Sequence, residues 1–294
     1  MTSPGRNERI AQVHNQDVAT KPFRTHLERA GAGNREAILF LHGSGPGASG
    51  WSNWLRALPA LGTSFDCLAP DFVGFASSEH LDHPPTDPLA WVDIWVEQIT
   101  SLLDVLDIER TNLVGNSMGG NIALHLAHRH PGRFKRIALM GSSGVPLKIT
   151  PKLGALRGFF SEPSAERMSQ IVSGFFYNPE AFSEEIRTVA RLRLEAAKDP
   201  RVGRSYQAIF SGSPQKQLDA RALPDEVLER IEHPCLLIHG RDDMIVPLGT
   251  SLYLLQKLPK VQLHVYGRAG HWTQLEYADS FHNLLRRFFI EDAD

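Results

Sequence analysis

The feature that most constrains the fold is a serine between two glycines in the stretch TNLVGNSMGGNIALHLAHRH, residues 111–130. The apolar run before the serine predicts a buried strand, and the pattern after it predicts a helix that ends before Pro131. Gly115 and Gly119 flank Ser117, where glycines permit a sharp turn. Such a turn lifts the hydroxyl above the carboxyl edge of a sheet and aims the first helical amides at the same point. We therefore predict a nucleophile elbow rather than a serine that only caps a helix.

Strands and helices alternate along most of the chain. Short apolar runs that end at glycine or serine predict strands at 37–43, 111–115, 136–142, 234–240 and 261–267, with a less clear strand within 65–74. A helix is predicted to begin at Pro88 with Asp87 as its N-cap, and the apolar spacing of residues 280–290 predicts a terminal helix packed on the sheet. This order predicts an α/β fold with a mostly parallel central sheet flanked by helices.

Residues 146–228 differ from the rest of the chain because their strand pattern is weak and several of their segments have helical spacing. We predict that they form a helical cap inserted into the sheet domain. The core domain would then consist of residues 1–145 and 229–294.

A serine hydroxyl becomes a good nucleophile when a histidine takes its proton and a carboxylate orients that histidine. In hydrolases with an elbow of this kind the chain order is serine, acid, histidine. GRDDMIVP follows the strand at 234–240, and GRAGHWTQLE follows the last strand and supplies His271. Asp243 is our choice of acid because Pro247 follows it by four residues, and Asp242 remains the alternative.

Two backbone amides are needed to stabilise the charge that develops on an attacked carbonyl oxygen. The glycine-rich loop HGSGPGASGWSNW follows the first long strand, and we assign this role to the amides of Ser44 and Met118. The loop lacks both the lysine of a P-loop and G-x-G-x-x-G spacing, which argues against phosphate binding. His125, His128 and His130 share one helix without a suitably spaced carboxylate or cysteine, so we predict a solvated helix face and no metal site.

Composition limits the partners. Lysine and arginine number 31 against 33 acidic residues, which gives no reason to expect a nucleic acid. Cys67 and Cys235 are the only cysteines, and the chain contains neither a signal-peptide core nor an 18-residue apolar run. We expect a cytoplasmic homo-oligomer, a dimer or larger, whose partner is a small molecule and not a membrane.

Five segments resemble the meta-cleavage-product hydrolases of the α/β-hydrolase superfamily: LHGSGPGASGWSNW, GNSMGGNIAL, GSSGVP, GRDDMIVPL and GHWTQLE. The resemblance implies a serine enzyme that needs no metal or organic cofactor. Its substrate would be a 2-hydroxy-6-oxohexa-2,4-dienoate, which is ketonised and then hydrolysed to 2-hydroxypenta-2,4-dienoate and a carboxylic acid. The alternatives are a carboxylesterase or lactonase with the same triad and a small-molecule receptor without turnover.

The resemblance also implies that Asn53, Asn116, Arg193 and Trp272 line the polar end of the pocket. A guanidinium with amide donors suits the substrate carboxylate, and Arg191 remains an alternative to Arg193. The substituent on C6 of the substrate would face apolar residues, for which the candidates are Leu153, Phe159, Phe175, Phe176, Phe210 and Val246. The sequence of residues 15–28 keeps only part of the first hairpin that the resemblance implies.

Overall fold

A single sheet of eight strands organises the protein. The computed structural model describes residues 10–290, so part of the leader, in which we predict no signal segment, lies outside the described residues. The strands are β1 (Val13–Thr20), β2 (Phe23–Ala30), β3 (Ala37–Leu41), β4 (Asp66–Pro70), β5 (Thr111–Asn116), β6 (Phe134–Met140), β7 (Cys235–Gly240) and β8 (Val261–Tyr266).

The strand order in the sheet is β1-β2-β4-β3-β5-β6-β7-β8. β2 runs antiparallel to both β1 and β4, and every pair from β4 to β8 is parallel. Both faces of the sheet are covered, since Leu39 and Leu41 pack in one apolar cluster and Ile38 and Phe40 in another. Coverage of both faces explains why the strands appear in the sequence as continuous apolar runs. The predicted α/β-hydrolase fold is confirmed.

The helices outside the segment between β6 and β7 are α1 (Gly50–Trp54), α2 (Ala57–Leu61), α3 (Pro88–Val105), α4 (Met118–Arg129), α11 (Gly249–Lys257), α12 (Thr273–Glu276) and α13 (Ala278–Ile290). The α3 helix begins where the sequence predicts: the Asp87 carboxylate accepts hydrogen bonds from the amides of Leu89 and Ala90, both at 3.3 Å. Trp91 and Trp95 on its apolar face are fully buried. Among residues 10–290, no helix combines the length and apolarity needed to cross a membrane.

Between β6 and β7 the chain forms six helices: α5 (Pro151–Arg157), α6 (Ala165–Ser173), α7 (Ser183–Ala197), α8 (Pro200–Ile209), α9 (Pro214–Arg221) and α10 (Asp225–Leu228). Short 3-10 turns lie at Phe159–Ser161 and Pro179–Phe182. Residues 175–177, between α6 and α7, are hydrogen-bonded to the segment after β8, since Phe175 O accepts from the amide of His271 at 2.7 Å and Glu276 accepts from the amide of Tyr177 at 2.8 Å.

Two sequence expectations were wrong in detail. The first hairpin is complete, with β1 and β2 paired along all eight residues of each strand. The sequence of β1 does not alternate between apolar and polar residues, because this edge strand exposes most of its side chains. The prediction of a solvated helix face is wrong at His125, which is buried and whose Nε2 atom lies 3.2 Å from Arg221 O. His128 on the same helix is exposed.

Candidate active site

Ser117 occupies the sharp turn between β5 and α4. Its φ of +55° and ψ of −114° are unfavourable for a residue with a side chain, and such a conformation costs about 1–3 kcal/mol. Hydrogen bonds hold the turn: the Ser117 amide donates to Met140 O at 3.0 Å, and its carbonyl accepts from the Gly120 amide at 3.1 Å. Glycine is required at 119, where a Cβ atom would lie 2.3 Å from Leu41 O. The local backbone therefore has the form of a nucleophile elbow.

His271 and Asp243 lie close to this turn, after β8 and β7 respectively. The His271 Nδ1 atom is 2.6 Å from the Asp243 Oδ2 atom, and both side chains are buried. This contact leaves the Nε2 atom of His271 for a proton from elsewhere, as a base beside a serine requires. Because parallel strands end at one edge of the sheet, the turns after β5, β7 and β8 bring Ser117, Asp243 and His271 together.

The Asp243 carboxylate is held on both sides. Its Oδ1 atom accepts from the amides of Ile245 at 2.7 Å and Val246 at 3.0 Å, while His239 Nε2 lies 3.4 Å from Oδ2. Burial opposes the charge of this carboxylate, but His271 and His239 outweigh burial and hold the pKa of Asp243 below its usual value. The carboxylate is therefore ionised at neutral pH.

Asp242, the alternative acid, points elsewhere. It is only half-buried, and its Oδ2 atom accepts from the Arg268 amide at 3.0 Å and lies 3.2 Å from Arg241. These contacts give Asp242 a local role in the turn after β7, and the geometry favours Asp243 as the partner of the histidine.

The amides assigned to an oxyanion hole lie on two elements that meet at Ser117. Met118 is the first residue of α4, so its N–H group lies outside the helix's own hydrogen-bond ladder. Ser44 belongs to the glycine-rich loop after β3 and lines a cavity together with Ser117 and Met118. The loop is anchored by buried His42, whose Nε2 atom accepts from the Phe72 amide at 3.0 Å and whose Nδ1 atom donates to Gly43 O at 2.8 Å. Burial lowers the pKa of His42 to about 4, which keeps this anchor neutral.

Most of the predicted site residues line one cavity beside Ser117, which we call the proximal cavity. The predicted residues that line it are Ser44, Asn53, Asn116, Ser117, Arg193, His271 and Trp272. Its lining contains no aspartate or glutamate among the residues that the structure describes.

Arg193 dominates the charge of the proximal cavity. It is 1% exposed, and its Nε and Nη1 atoms have no hydrogen-bond partner. The guanidinium lies over the rings of Trp272 and Phe175, with its carbon 5.0 and 5.5 Å from the two ring centres. Burial lowers the pKa of Arg193 from 12.5 to about 10, so the side chain keeps its charge at neutral pH. Arg191, two residues earlier on α7, is exposed.

The loop after β3 is shaped around this guanidinium. A Cβ atom at Gly45 would lie 2.1 Å from Arg193 Nη1, so a residue larger than glycine would displace the arginine. Asn53 uses its Oδ1 atom to accept from the Gly43 amide at 3.2 Å, and its buried Nδ2 atom has no partner. Asn116 donates to Met140 O at 3.2 Å. Three buried donor atoms, two on Arg193 and one on Asn53, are thus unpaired in one cavity that can accept an anionic group.

Comparisons with known proteins show the family of the chain. The model of the α/β-hydrolase fold family matches residues 36–278. The 2-hydroxymuconate semialdehyde hydrolase of Pseudomonas sp. (strain CF600) is 40% identical over 276 residues, which are 94% of each chain. The 2-hydroxy-6-oxo-2,4-heptadienoate hydrolase of Pseudomonas putida (strain F1) is 38% identical across 91% of this chain and 93% of that protein.

A solved structure supports the same relationship. The 2-hydroxy-6-oxo-6-phenylhexa-2,4-dienoate hydrolase from Rhodococcus sp. strain RHA1 superposes with a TM-score of 0.91 at 36% identity, covering 96% of this chain and all of that one. The chain belongs to the meta-cleavage-product hydrolases of the α/β-hydrolase superfamily. The family that the sequence motifs predict is therefore confirmed.

In this family member, Ser117 also lines a second cavity, which we call the distal cavity. Ser44, Ser117 and Leu156 line both cavities. Three of the apolar candidates for the substituent end, Leu153, Phe210 and Val246, line the distal cavity. Phe175 instead lines the proximal cavity, and Phe159 and Phe176 are buried in the apolar core.

Sequence reasoning missed Arg157, Tyr206 and Arg221, which also line the distal cavity. They lie on α5, α8 and α9, three helices whose meeting point no local pattern predicts. The available indication in the sequence is that Arg157 interrupts an apolar segment, LGALRGFF.

A metal site is not apparent in the part of the chain that the structure describes, where no three or more histidine, cysteine, aspartate or glutamate side chains group as ligands. The prediction that the enzyme needs no metal or organic cofactor stays a prediction.

Proposed function

We propose that the protein hydrolyses the carbon–carbon bond between C5 and C6 of a 2-hydroxy-6-oxohexa-2,4-dienoate, giving 2-hydroxypenta-2,4-dienoate and a carboxylic acid. The observation that carries the proposal is the unpaired guanidinium of Arg193 beside Ser117 and His271. A buried cation without a counter-charge is unfavourable in the free protein, and a substrate carboxylate would supply that counter-charge. The names of the relatives described above, all dienoate or semialdehyde hydrolases, support the same class of substrate.

In the proposed reaction, Arg193 and Asn53 bind the carboxylate at C1, and Asn116 and Trp272 complete the polar end of the proximal cavity. Ketonisation moves the proton of the 2-hydroxyl group to C5, so that C5 becomes tetrahedral. Carbon C6 then lies at Ser117, with its carbonyl oxygen at the amides of Ser44 and Met118.

Ser117 then acts as the nucleophile. His271 takes the proton of Oγ while Oγ bonds to C6, and Asp243 stabilises the imidazolium that forms. The C5–C6 bond breaks, its electron pair passes into the dienol, and His271 returns a proton to that fragment. Water, deprotonated by the same histidine, then attacks C6; the bond between C6 and Ser117 Oγ breaks, His271 returns the proton to Oγ, and the acyl group leaves as a carboxylic acid.

We also propose that residues 146–228 act as a cap over a core made of residues 1–145 and 229–294. Arg193 supports this division because it lies on α7 yet faces Gly45 of the core loop. The cap would therefore complete the carboxylate site when it lies against the core.

A cytoplasmic homo-oligomer belongs to the same proposal. Both cysteines are free and buried, as is common in reducing compartments. β8 is an edge strand, and exposed apolar side chains lie on it and on the adjacent α11, namely Val265, Leu252 and Leu255. An open edge beside apolar side chains is a typical pairing surface. Light scattering of the purified protein would test this part, and a monomer at micromolar concentration would contradict it.

The test of the activity is a panel of substrates. Purified protein should bleach the visible absorbance of 2-hydroxy-6-oxo dienoates with methyl, phenyl or carboxyalkyl substituents, with and without chelator at equal rates. Aryl acetates serve as comparison. If aryl esters turn over with a higher kcat/KM than every dienoate, the protein is an esterase; tight binding of dienoates without turnover would indicate a receptor.

A further inference from the structure

The distal cavity contains two positive charges. Arg157 is the last residue of α5 and Arg221 the last of α9, and both line this cavity. Their guanidinium carbons lie 5.2 and 5.6 Å from the centre of the same ring, that of Phe210. Both cations therefore lie against one aromatic ring of the cavity lining.

Neither arginine has an acidic partner among residues 10–290. Arg221 is 7% exposed, and it donates to the main-chain carbonyls of Ile209 at 2.9 Å and Pro88 at 3.5 Å. The Nη1 atom of Arg157 is buried and has no hydrogen-bond partner. The carboxylate that most favours the charge of Arg221 is Asp87, which is exposed and caps α3.

The environment of the pair is unfavourable for charge. Burial, followed by the nearby charge of Arg157, lowers the pKa of Arg221 to about 9. Burial also lowers the pKa of Arg157. Two guanidinium groups beside one ring of a largely apolar cavity repel each other, and an anion bound at the Nη1 atom of Arg157 would offset that repulsion and pair the free donor.

Tyr206 does not supply that anion. Its hydroxyl donates to Leu156 O at 3.2 Å, and burial raises the pKa of the phenol, so it stays neutral. The apolar side chains of Leu153 and Val246 line the same cavity as Ser117 and the two arginines. The lining thus offers both apolar side chains and two cations to a substituent that starts at Ser117.

We propose that Arg157 and Arg221 bind a carboxylate at the end of the C6 substituent, so that the substrate is a dienoate with two carboxylates and the acid released is a dicarboxylic acid. This inference rests on the proposed function, which places C6 at Ser117 and the C1 carboxylate at Arg193. The planar guanidinium groups can each bind a carboxylate with two parallel hydrogen bonds. The sequence suggests apolar residues around the C6 substituent. Under this proposal only the part of the substituent next to C6 is apolar, and its far end is charged.

The test compares two dienoates of equal length, one whose C6 substituent is CH2CH2COO− and one whose substituent is CH2CH2CH3. The wild-type protein should prefer the anionic substrate by at least about tenfold in kcat/KM. Arg157→Met should lower kcat/KM for the anionic substrate by about tenfold to a hundredfold, mainly through KM, and leave the neutral substrate unchanged or improved. Arg157→Lys should restore part of the loss.

Controls separate binding from folding. Arg204→Met removes an exposed arginine of α8, outside the cavity, and should change neither substrate. Arg221→Met should show the same selectivity as Arg157→Met, with a lower Tm because Arg221 also binds main-chain carbonyls. Equal losses for the two substrates in Arg157→Met, or a wild-type preference for the neutral substrate, would overturn the proposal.

Failure of the proposed function has a different signature. If the protein cleaves neither dienoate but hydrolyses aryl acetates, the carbon–carbon hydrolase assignment fails. The arginine pair is then tested by comparing how strongly glutarate and pentanoate inhibit ester hydrolysis. Stronger inhibition by glutarate that is lost in Arg157→Met supports the pair as an anion site, and equal inhibition by both acids contradicts it. If nothing is hydrolysed, the same comparison is made by calorimetric titration of the two acids.

Discussion

Replacing Arg193 by methionine is expected to weaken substrate binding without lowering the stability of the fold, because the guanidinium is buried without a counter-charge. The fall of the Arg193 pKa from 12.5 to about 10 corresponds to about 3 kcal/mol that opposes the charged form in the folded protein. At pH 7 the pH lies below the pKa in both the folded and the unfolded state, so the whole penalty is present. It would decline only as the pH rises above about 10.

Methionine removes this penalty and also removes the contacts of the cation with Trp272 and Phe175, which together contribute about 2 kcal/mol. The free energy of unfolding should therefore rise by about 1 kcal/mol, which corresponds to an increase in Tm of about 2 °C. For the dienoate, loss of the charge-assisted bonds removes about 1.5–3 kcal/mol, so kcat/KM should fall by about tenfold to a hundredfold.

The assay measures Tm by calorimetry and kcat/KM for a dienoate and for a neutral aryl acetate. Arg193→Met should lower only the dienoate value, and Arg193→Lys should recover part of it because an ammonium keeps the charge without the planar geometry. Arg191→Met is the matched control, since Arg191 is an exposed arginine of the same helix, and it should change nothing. Equal losses for both substrates together with a lower Tm would show that Arg193 only supports the cap. A selective loss in Arg191→Met would refute the assignment itself.

Two further predictions concern the triad. Ser117→Ala should keep the fold and lower dienoate cleavage by about a thousandfold or more, as should His271→Ala, and activity within about tenfold of wild type would remove Ser117 from the mechanism. Asp243→Asn should lower kcat by about a hundredfold or more because it disturbs a 2.6 Å contact with His271, whereas Asp242→Asn should stay near wild type; the reverse order of the two rates would make Asp242 the acid.

Local patterns in the sequence determined the core of the protein. Apolar runs that end at glycine or serine predict β3, β5, β6 and β7, because strands buried on both faces need apolar side chains at nearly every position. The run before Gly267 also predicts β8, although this edge strand is only partly buried. The serine, aspartate and histidine could be chosen because each follows such a strand, and parallel strands bring their carboxyl ends to one edge. β1 was missed because an exposed edge strand has no such requirement.

The tertiary structure alone decided how the helices between β6 and β7 meet the rest of the protein. The choice between Arg193 and Arg191 depended on which face of α7 turns inward, and both residues have the same chemistry in the sequence. The pairing of Arg157 with Arg221 joins positions far apart in the chain, on helices too short for apolar periodicity to orient them. The charge of the distal cavity therefore depends on packing between helices, because the sequence around a residue does not show which residues it faces across a cavity.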